Sequence, residues 1–155
     1  MPYLNGVCEE TLRLYPTVPT TIREAVRPTT VAGIAVPQGA QFILIPYASN
    51  RHPKYWKDAD MIVPERWIDT APDGTQRPNK NGGTSTNFAE ITFLHGPRSC
   101  IGRDFAKAEL RCAVAGLFGK FKMELTSDVE PIPTGVVTTK PLPDLFLKMT
   151  PLEDW

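Results

Sequence analysis

Apolar positions divide the chain into two predicted helices separated and followed by short predicted strands. Near the N-terminus, apolar residues recur every three or four positions and stop before Pro16. This spacing predicts an amphipathic helix that ends before Pro16. In residues 103–118, apolar side chains cover most of the helical circumference. We therefore predict a second, long helix that is mostly buried.

The remaining ordered segments have the loose alternation that is typical of β-strands. Residues 20–26 alternate weakly, residues 29–36 predict a hairpin, and residues 41–45 predict a buried strand. Residues 121–125 and 145–149 alternate again. They predict terminal strands that close a small sheet.

Long irregular connections are also expected. The 155 residues include 16 prolines and 11 glycines, more than an average globular chain contains. Residues 69–87 are rich in Pro, Gly, Asn, Thr and Asp and carry almost no apolar side chains. This composition predicts a mobile surface loop. Trp56 and Trp67, which precede it, are most simply core aromatics.

Composition argues against several classes of protein. Seventeen basic and seventeen acidic residues cancel, so the net charge does not favour nucleic acid as a partner. Cys8, Cys100 and Cys112 have no C-x-x-C spacing, and they predict neither a disulfide framework nor a zinc site. No apolar run approaches the roughly 18 residues of a membrane span. The length predicts a single domain, residues 1–155.

Candidate chemistry concentrates in residues 93–102, which we call the cysteine loop. Cys100 lies near arginines at the predicted start of the second helix, where helix-end N–H groups and cations favour a thiolate. Gly96 and Gly102 permit left-handed or close-approach backbone conformations. Arg98 offers a rigid set of N–H donors that suits a carboxylate. The loop therefore predicts a site for a flat group that carries a metal and carboxylates.

The cysteine loop, F-L-H-G-P-R-S-C-I-G, resembles the haem-binding signature F-x-x-G-x-R-x-C-x-G of the cytochrome P450 superfamily at every fixed position. Upstream, residues 10–13 match the family's E-x-x-R motif and residues 64–67 resemble its P-E-R-F/W motif. The resemblance covers nearly the whole chain. It implies an α+β fold that forms the C-terminal, haem-binding part of the family's domain. The implied elements are the E-x-x-R helix, small β-sheets, a long coil meander, the cysteine loop, a long buried helix and terminal strands.

The resemblance implies haem b as the cofactor, with the thiolate of Cys100 as the axial ligand of iron. Phe93 is expected to pack near the sulfur, and Gly96 and Gly102 to shape the loop. Arg98 is expected to neutralise a haem propionate. Arg23 is expected to do the same, and an exposed strand charge is the alternative for it.

The family's E-x-x-R and P-E-R-F motifs imply that Glu10, Arg13 and Arg66 form a buried network that braces the haem-bearing core. From spacing alone, Glu10 and Arg13 equally fit a solvated pair on the helix surface. The substrate-pocket candidates implied by the resemblance are Val18, Ile22, Gly135 and Val136.

Two further features have open interpretations. His95 departs from the commonest family form, and it either reaches a propionate or faces the proximal surface. Arg103, Lys107 and Arg111 form a basic stripe on the second helix. The stripe is either its solvent-exposed face or a docking surface for an acidic redox partner.

The implied activity is monooxygenation of a small apolar organic substrate with O2 and electrons from a reductase. Family members are far longer, and their distal half carries the oxygen-activating helix. We therefore expect a truncated C-terminal fragment without catalytic residues of its own. The alternatives are an inactive truncated product and a haem-thiolate isomerase or rearranging enzyme. A full-length eukaryotic member is expected at the endoplasmic reticulum membrane.

Overall fold

The structure is a computed structural model that describes residues 1–135 and 137–153. Within these residues, two long helices, α1 (Pro2–Leu14) and α3 (Arg103–Lys120), frame a series of small sheets, and a short helix, α2 (Pro46–Ser49), lies between them in sequence. Single turns of 3₁₀-helix occupy Pro64–Trp67, Asn87–Ala89 and Gly96–Arg98. This mixture of helices and small sheets confirms the predicted α+β class.

All the strands described pair as two-stranded antiparallel sheets. The pairs are β1 (Thr21–Glu24) with β4 (Gln41–Leu44), β2 (Thr29–Val31) with β3 (Ile34–Val36), β5 (Ile68–Thr70) with β6 (Gln76–Pro78), β7 (Phe121–Leu125) with β10 (Leu147–Pro151), and β8 (Ile132–Thr134) with β9 (Lys140–Leu142). The β2–β3 hairpin and the terminal β7–β10 pair confirm two predictions from the alternation.

The end of α1 before Pro16 is confirmed, but the predicted burial of α3 and β4 is wrong. No residue of α3 is classed as buried, and Phe105 is 74% exposed. In β4, Ile43 is 66% exposed. Apolar periodicity shows which faces favour burial, but in the part of the chain that is described only α1 and small two-stranded sheets are available to cover them.

The core is a small aromatic cluster beside α1. Trp56 and Trp67 are both buried, their ring centroids lie 5.8 Å apart, and Ala89 packs with them. The indole N–H of Trp56 donates to the carbonyl of Ala89 over 3.1 Å, so its polar atom is satisfied. The prediction that both tryptophans are core residues is confirmed.

The segment predicted as a loop, residues 69–87, contains all of the β5–β6 hairpin except Ile68 and packs back on the core. The amide of Asn79 donates to the Arg66 carbonyl over 2.8 Å, and its backbone N–H donates to the Trp67 carbonyl over 2.9 Å. Gly82 has a φ of +60°, and a Cβ there would lie 2.7 Å from the Trp56 ring. The hairpin was not predicted, and the mobility of the segment stays a prediction.

Gly6→Ala is expected to destabilise the fold by about 1–3 kcal/mol, the usual cost of overpacking. A Cβ at Gly6 would lie 2.4 Å from the carbonyl oxygen of Pro64, so α1 would be forced away from the 3₁₀ turn that carries Arg66. The measurement is thermal unfolding followed by circular dichroism. Gly116→Ala on α3 is the matched control, because nothing lies within 4 Å of its Cβ position. Equal melting temperatures for the two variants would contradict the prediction.

Within residues 1–135 and 137–153, no helix is long and apolar enough to cross a membrane.

Candidate haem-binding site

The cysteine loop folds back on itself and presents Cys100 to solvent. The backbone N–H of Cys100 donates to the Phe93 carbonyl over 2.8 Å, and the Cys100 carbonyl accepts from the N–H of Arg103, the first residue of α3, over 3.4 Å. Both backbone groups of Cys100 are therefore satisfied within the loop, and its side chain is exposed. This arrangement leaves the sulfur free to bind a ligand.

The loop has two residues in left-handed backbone conformations. Gly96 has a φ of +76°, as its glycine predicts. Gly102 has a φ of −88° and so is not left-handed. Its missing side chain leaves space beside the thiol instead, since a Cβ there would lie 4.0 Å from the Cys100 sulfur. Leu94 is also left-handed, with a φ of +59°. This was not predicted, because leucine gives no sequence signal for a left-handed backbone.

Burial distinguishes Cys100 from Cys8. Cys8 is buried on α1, and burial raises the pKa of its thiol, against a weaker opposite effect of Arg111. Cys100 and Cys112 are both exposed. Cys100 lines a pocket, and Cys112 does not line it. Cys100 is thus the cysteine placed to meet a bound group.

A largely apolar pocket of about 210 Å³ opens beside the sulfur, and we call it the cysteine pocket. Its lining includes Cys100, Phe93, Arg98 and Val18, together with Leu94 from the left-handed bend. The structure thus brings four of the sequence-predicted residues to one surface.

The two predicted propionate partners line a second hollow of about 300 Å³, the arginine pocket. Arg23 and Arg98 face it, and Arg98 and Leu94 also line the cysteine pocket, so the two hollows adjoin. Within residues 1–135 and 137–153 neither arginine makes an ion pair. Among the described residues, the Arg23 guanidinium donates to the Thr21 hydroxyl and to the carbonyl of Ile22, its own neighbour. One soft sulfur and two cations without carboxylate partners fit a group that carries both a metal and carboxylates.

His95 is held by its own segment. Its Nε2 lies 3.0 Å from the carbonyl oxygen of Glu90, and its ring packs edge-on against Phe88 with centroids 5.0 Å apart. It also lines the arginine pocket. His95 also lines a separate hollow together with Arg103 and Lys107 of α3, so its contact with a propionate stays a prediction.

The remaining substrate-pocket candidates do not reach the cysteine pocket. Ile22 is 59% exposed and lines neither hollow. Gly135 lines a separate groove, although the neighbouring Thr139 is tied to the cysteine-pocket residue Thr17 by a 2.7 Å backbone hydrogen bond. Val136 lies outside the described residues.

Glu10, Arg13 and Arg66 are brought together in a buried network. Glu10 and Arg13 are both 0% exposed, which excludes the solvated helix-surface pair. Arg13 donates from Nε and Nη2 to the two Glu10 oxygens over 2.9 and 2.8 Å. Arg66 Nε donates to Oε1 over 2.9 Å.

Sequence reasoning missed the other members of this network. The Trp67 indole N–H and the Val63 backbone N–H also donate to Glu10, over 2.8 and 3.0 Å. The remaining donors of Arg13 reach three carbonyl oxygens at 2.7–3.0 Å, those of Asn50, Ala59 and Met61. Burial alone would raise the pKa of Glu10, but the hydrogen bonds from Arg13, Trp67 and Val63 outweigh it and lower the pKa.

The lowered pKa predicts how Glu10 contributes to stability as pH changes. A group whose pKa is lower in the folded state stabilises the protein above its unfolded pKa, about 4.3 for glutamate. That contribution is lost as pH falls through the folded pKa. We expect the difference in unfolding free energy between wild type and Glu10→Gln to be largest at neutral pH and to shrink below about pH 4. Urea unfolding from pH 7 to pH 3 measures it, and a difference that stays constant would contradict the prediction.

Asn50 connects this network to the cysteine loop, and it was not predicted. It is buried, and its amide donates to the Arg13 carbonyl and to the Thr92 hydroxyl over 3.1 and 2.8 Å. Its side-chain oxygen accepts from the N–H of Ile91 over 2.9 Å. Ile91 and Thr92 directly precede Phe93, so Asn50 fixes the entry to the loop. A single asparagine carries no sequence signal for such a role.

The basic stripe of α3 is not simply a solvent-exposed face, and its role as a docking surface stays a prediction. Lys107 and Arg111 both pair with Glu9 of α1, and Arg103 pairs with its neighbour Asp104. Two of the three cations therefore join helices. Glu9 was not singled out from sequence, because its partners lie about a hundred residues away in the chain.

Comparisons with known proteins agree with the geometry. The family model described as Cytochrome P450 matches residues 1–147. The cytochrome P450 monooxygenase sphH of Aspergillus fumigatus is 42% identical over all of this chain and 28% of its own length. The cytochrome P450 monooxygenase ptmK of Penicillium ochrochloron is 41% identical over 98% of this chain and 30% of its own length.

Solved structures show the same relation. The retinoic acid-bound cyanobacterial CYP120A1 superposes with a TM-score of 0.82 at 27% identity, over 98% of this chain and 33% of its own. The haem domain of cytochrome P450DA gives 0.80 at 26% identity, over 97% and 31%. This chain spans about three tenths of the length of the curated relatives that it matches. From the motifs, the pocket beside Cys100 and these similarities, we conclude that the chain belongs to the cytochrome P450 family, whose members bind haem.

Proposed function

We propose that this chain is the haem-binding part of a haem-thiolate monooxygenase and that Cys100 ligates the iron of haem b. The main support for the proposal is the exposed Cys100 side chain on the wall of an apolar pocket. The adjoining pocket holds two arginines that form no ion pair among the described residues. The names of the fungal relatives, both monooxygenases, support the same activity.

Each residue of the site has a physical role in this proposal. When bound, haem supplies oxygen activation, and a thiolate ligand favours cleavage of the O–O bond. Phe93 packs beside the sulfur, and its carbonyl fixes the Cys100 backbone through the 2.8 Å hydrogen bond. Arg23 and Arg98 neutralise the propionates by charge-assisted hydrogen bonds. Val18, on the wall of the cysteine pocket, contacts the substrate side.

The complete protein, in this proposal, oxidises a small apolar organic substrate with O2 and receives its electrons from a reductase. Its place at the endoplasmic reticulum membrane stays a prediction for a full-length eukaryotic member. Glu10, Arg13 and Arg66 do no chemistry. Arg13 holds Asn50, and Asn50 in turn binds Ile91 and Thr92 at the entry to the cysteine loop.

The test is the carbon monoxide spectrum of the reduced, haem-loaded protein, prepared as the complete natural protein that contains this chain. We expect the red-shifted Soret band that a thiolate ligand produces. A haem-saturated protein without that band would overturn the proposal. Turnover with a reductase then separates a monooxygenase from an isomerase, because an isomerase gives the same band but needs no electrons.

A further inference from the structure

The helix that follows Cys100, α3, lies against α1 with a face that is only half-buried. None of its residues is classed as buried, so tight packing does not fix its position. Among the described residues, the side-chain hydrogen bonds that join α3 to another element both end on Glu9 of α1. Lys107 Nζ donates to Oε2 over 2.5 Å, and Arg111 Nη2 donates to Oε1 over 2.8 Å.

The same lysine touches the cysteine loop. Lys107 Nζ lies 5.7 Å from the centroid of the Phe93 ring, within the range of a cation–π contact. The Phe93 carbonyl accepts the N–H of Cys100 over 2.8 Å. A continuous set of contacts therefore runs from the Glu9 carboxylate through Lys107 and Phe93 to the backbone of the cysteine.

The negative charge of Glu9 compensates two positive charges on α3. Glu9 is only 8% exposed and is the carboxylate partner of both cations. A buried carboxylate with one charge-assisted hydrogen bond on each oxygen is well satisfied. Without its charge, Lys107 and Arg111 are left as two unpaired, partly buried cations close to the site.

We propose that Glu9 is a positioning residue for the haem-thiolate site. It holds α3 against α1 through Lys107 and Arg111, and through Lys107 and Phe93 it fixes the cysteine loop. This inference rests on the function proposed above. It assigns Glu9 no contact with haem or substrate.

The test compares Glu9→Gln with Glu124→Gln in the complete, haem-loaded natural protein. Glu124 is a matched control, because it is an exposed residue of β7 whose ion pair, among the described residues, is with Lys122. Outer-shell partners of a metal site typically change its affinity by 10–100-fold, so we expect Glu9→Gln to lose haem about tenfold faster. The reduction potential of its iron should also become more positive, because uncompensated cations favour the reduced state. Glu124→Gln should change neither quantity.

A second variant should shift the reduction potential in the opposite direction. Lys107→Gln removes a cation and the contact with Phe93, so haem loss should again be faster while the potential becomes more negative. Its control is the exposed Lys122→Gln. If Glu9→Gln does not fold, the comparison of Lys107→Gln with Lys122→Gln tests the positioning role of Glu9 by itself. A loss of the Glu9 link that only destabilised the fold would not shift the potential in these opposite directions.

The outcomes separate the two proposals. If the wild-type protein shows no thiolate Soret band, the proposed function fails. If the band is present but Glu9→Gln and Lys107→Gln match their controls in haem loss and in potential, the role of Glu9 is overturned while the proposed function stands.

Discussion

Arg13→Ala is expected to destabilise the protein by about 3–5 kcal/mol, the cost of removing one partner of a buried ion pair. Arg13 is fully buried and donates to both oxygens of Glu10 and to three backbone carbonyls. Its removal leaves the Glu10 carboxylate buried with Arg66 as its one remaining cation and leaves those carbonyls without donors. Because folded domains are stable by only about 5–15 kcal/mol, this variant should lose a large fraction of its stability.

The measurement is urea unfolding of wild type, Arg13→Ala and Arg27→Ala. Arg27 is exposed, so its replacement should change stability by no more than about 0.5 kcal/mol. Arg13→Lys is the informative conservative change. A lysine keeps the charge but cannot match the two-point contact with Glu10, so it should recover only part of the loss. An Arg13→Ala variant as stable as Arg27→Ala would mean that the network does not brace the fold.

This network shows where sequence information ends. The three-residue spacing of Glu10 and Arg13 predicts that they meet on one helix, but it is the same for an exposed pair and a buried one. Arg66 joined them only through the resemblance of its motif. Trp67, Val63 and Asn50 were missed because their contacts depend on how distant segments pack.

For helix α3, the secondary structure was predicted correctly but its burial was not. Its apolar periodicity was read correctly as a helix, and its boundaries follow the prediction closely. Its burial was predicted wrongly, because the burial of a face depends on what lies opposite it. In the same way, the charges of Lys107 and Arg111 suggested a solvent-exposed stripe, whereas a carboxylate on α1 pairs with both. The cysteine loop was predictable only in part: Gly96 is left-handed as its residue type predicts, but the left-handed Leu94 and the hydrogen bond from Cys100 to Phe93 were not predicted.

Cys100→Ser is expected to abolish the thiolate Soret band of the reduced carbon monoxide complex. A serine hydroxyl does not ionise near neutral pH, so it cannot supply the anionic sulfur on which the band depends. The fold should be retained, because both hydrogen bonds of Cys100 in the loop are made by backbone atoms. Circular dichroism of the variant checks this directly. The prediction is thus a complete loss of one spectroscopic signal with little change in structure.

Cys112→Ser is the matched control, since Cys112 is also an exposed thiol and lies on α3, outside the linings of the cysteine and arginine pockets. Its spectrum should be that of the wild type. If instead Cys100→Ser kept the band and Cys112→Ser lost it, the iron ligand would lie on the body of α3. The cysteine pocket would then not be the haem site. Arg23 and Arg98, which form no ion pair within residues 1–135 and 137–153, favour loss of the band in Cys100→Ser, because they place carboxylate-binding groups beside Cys100.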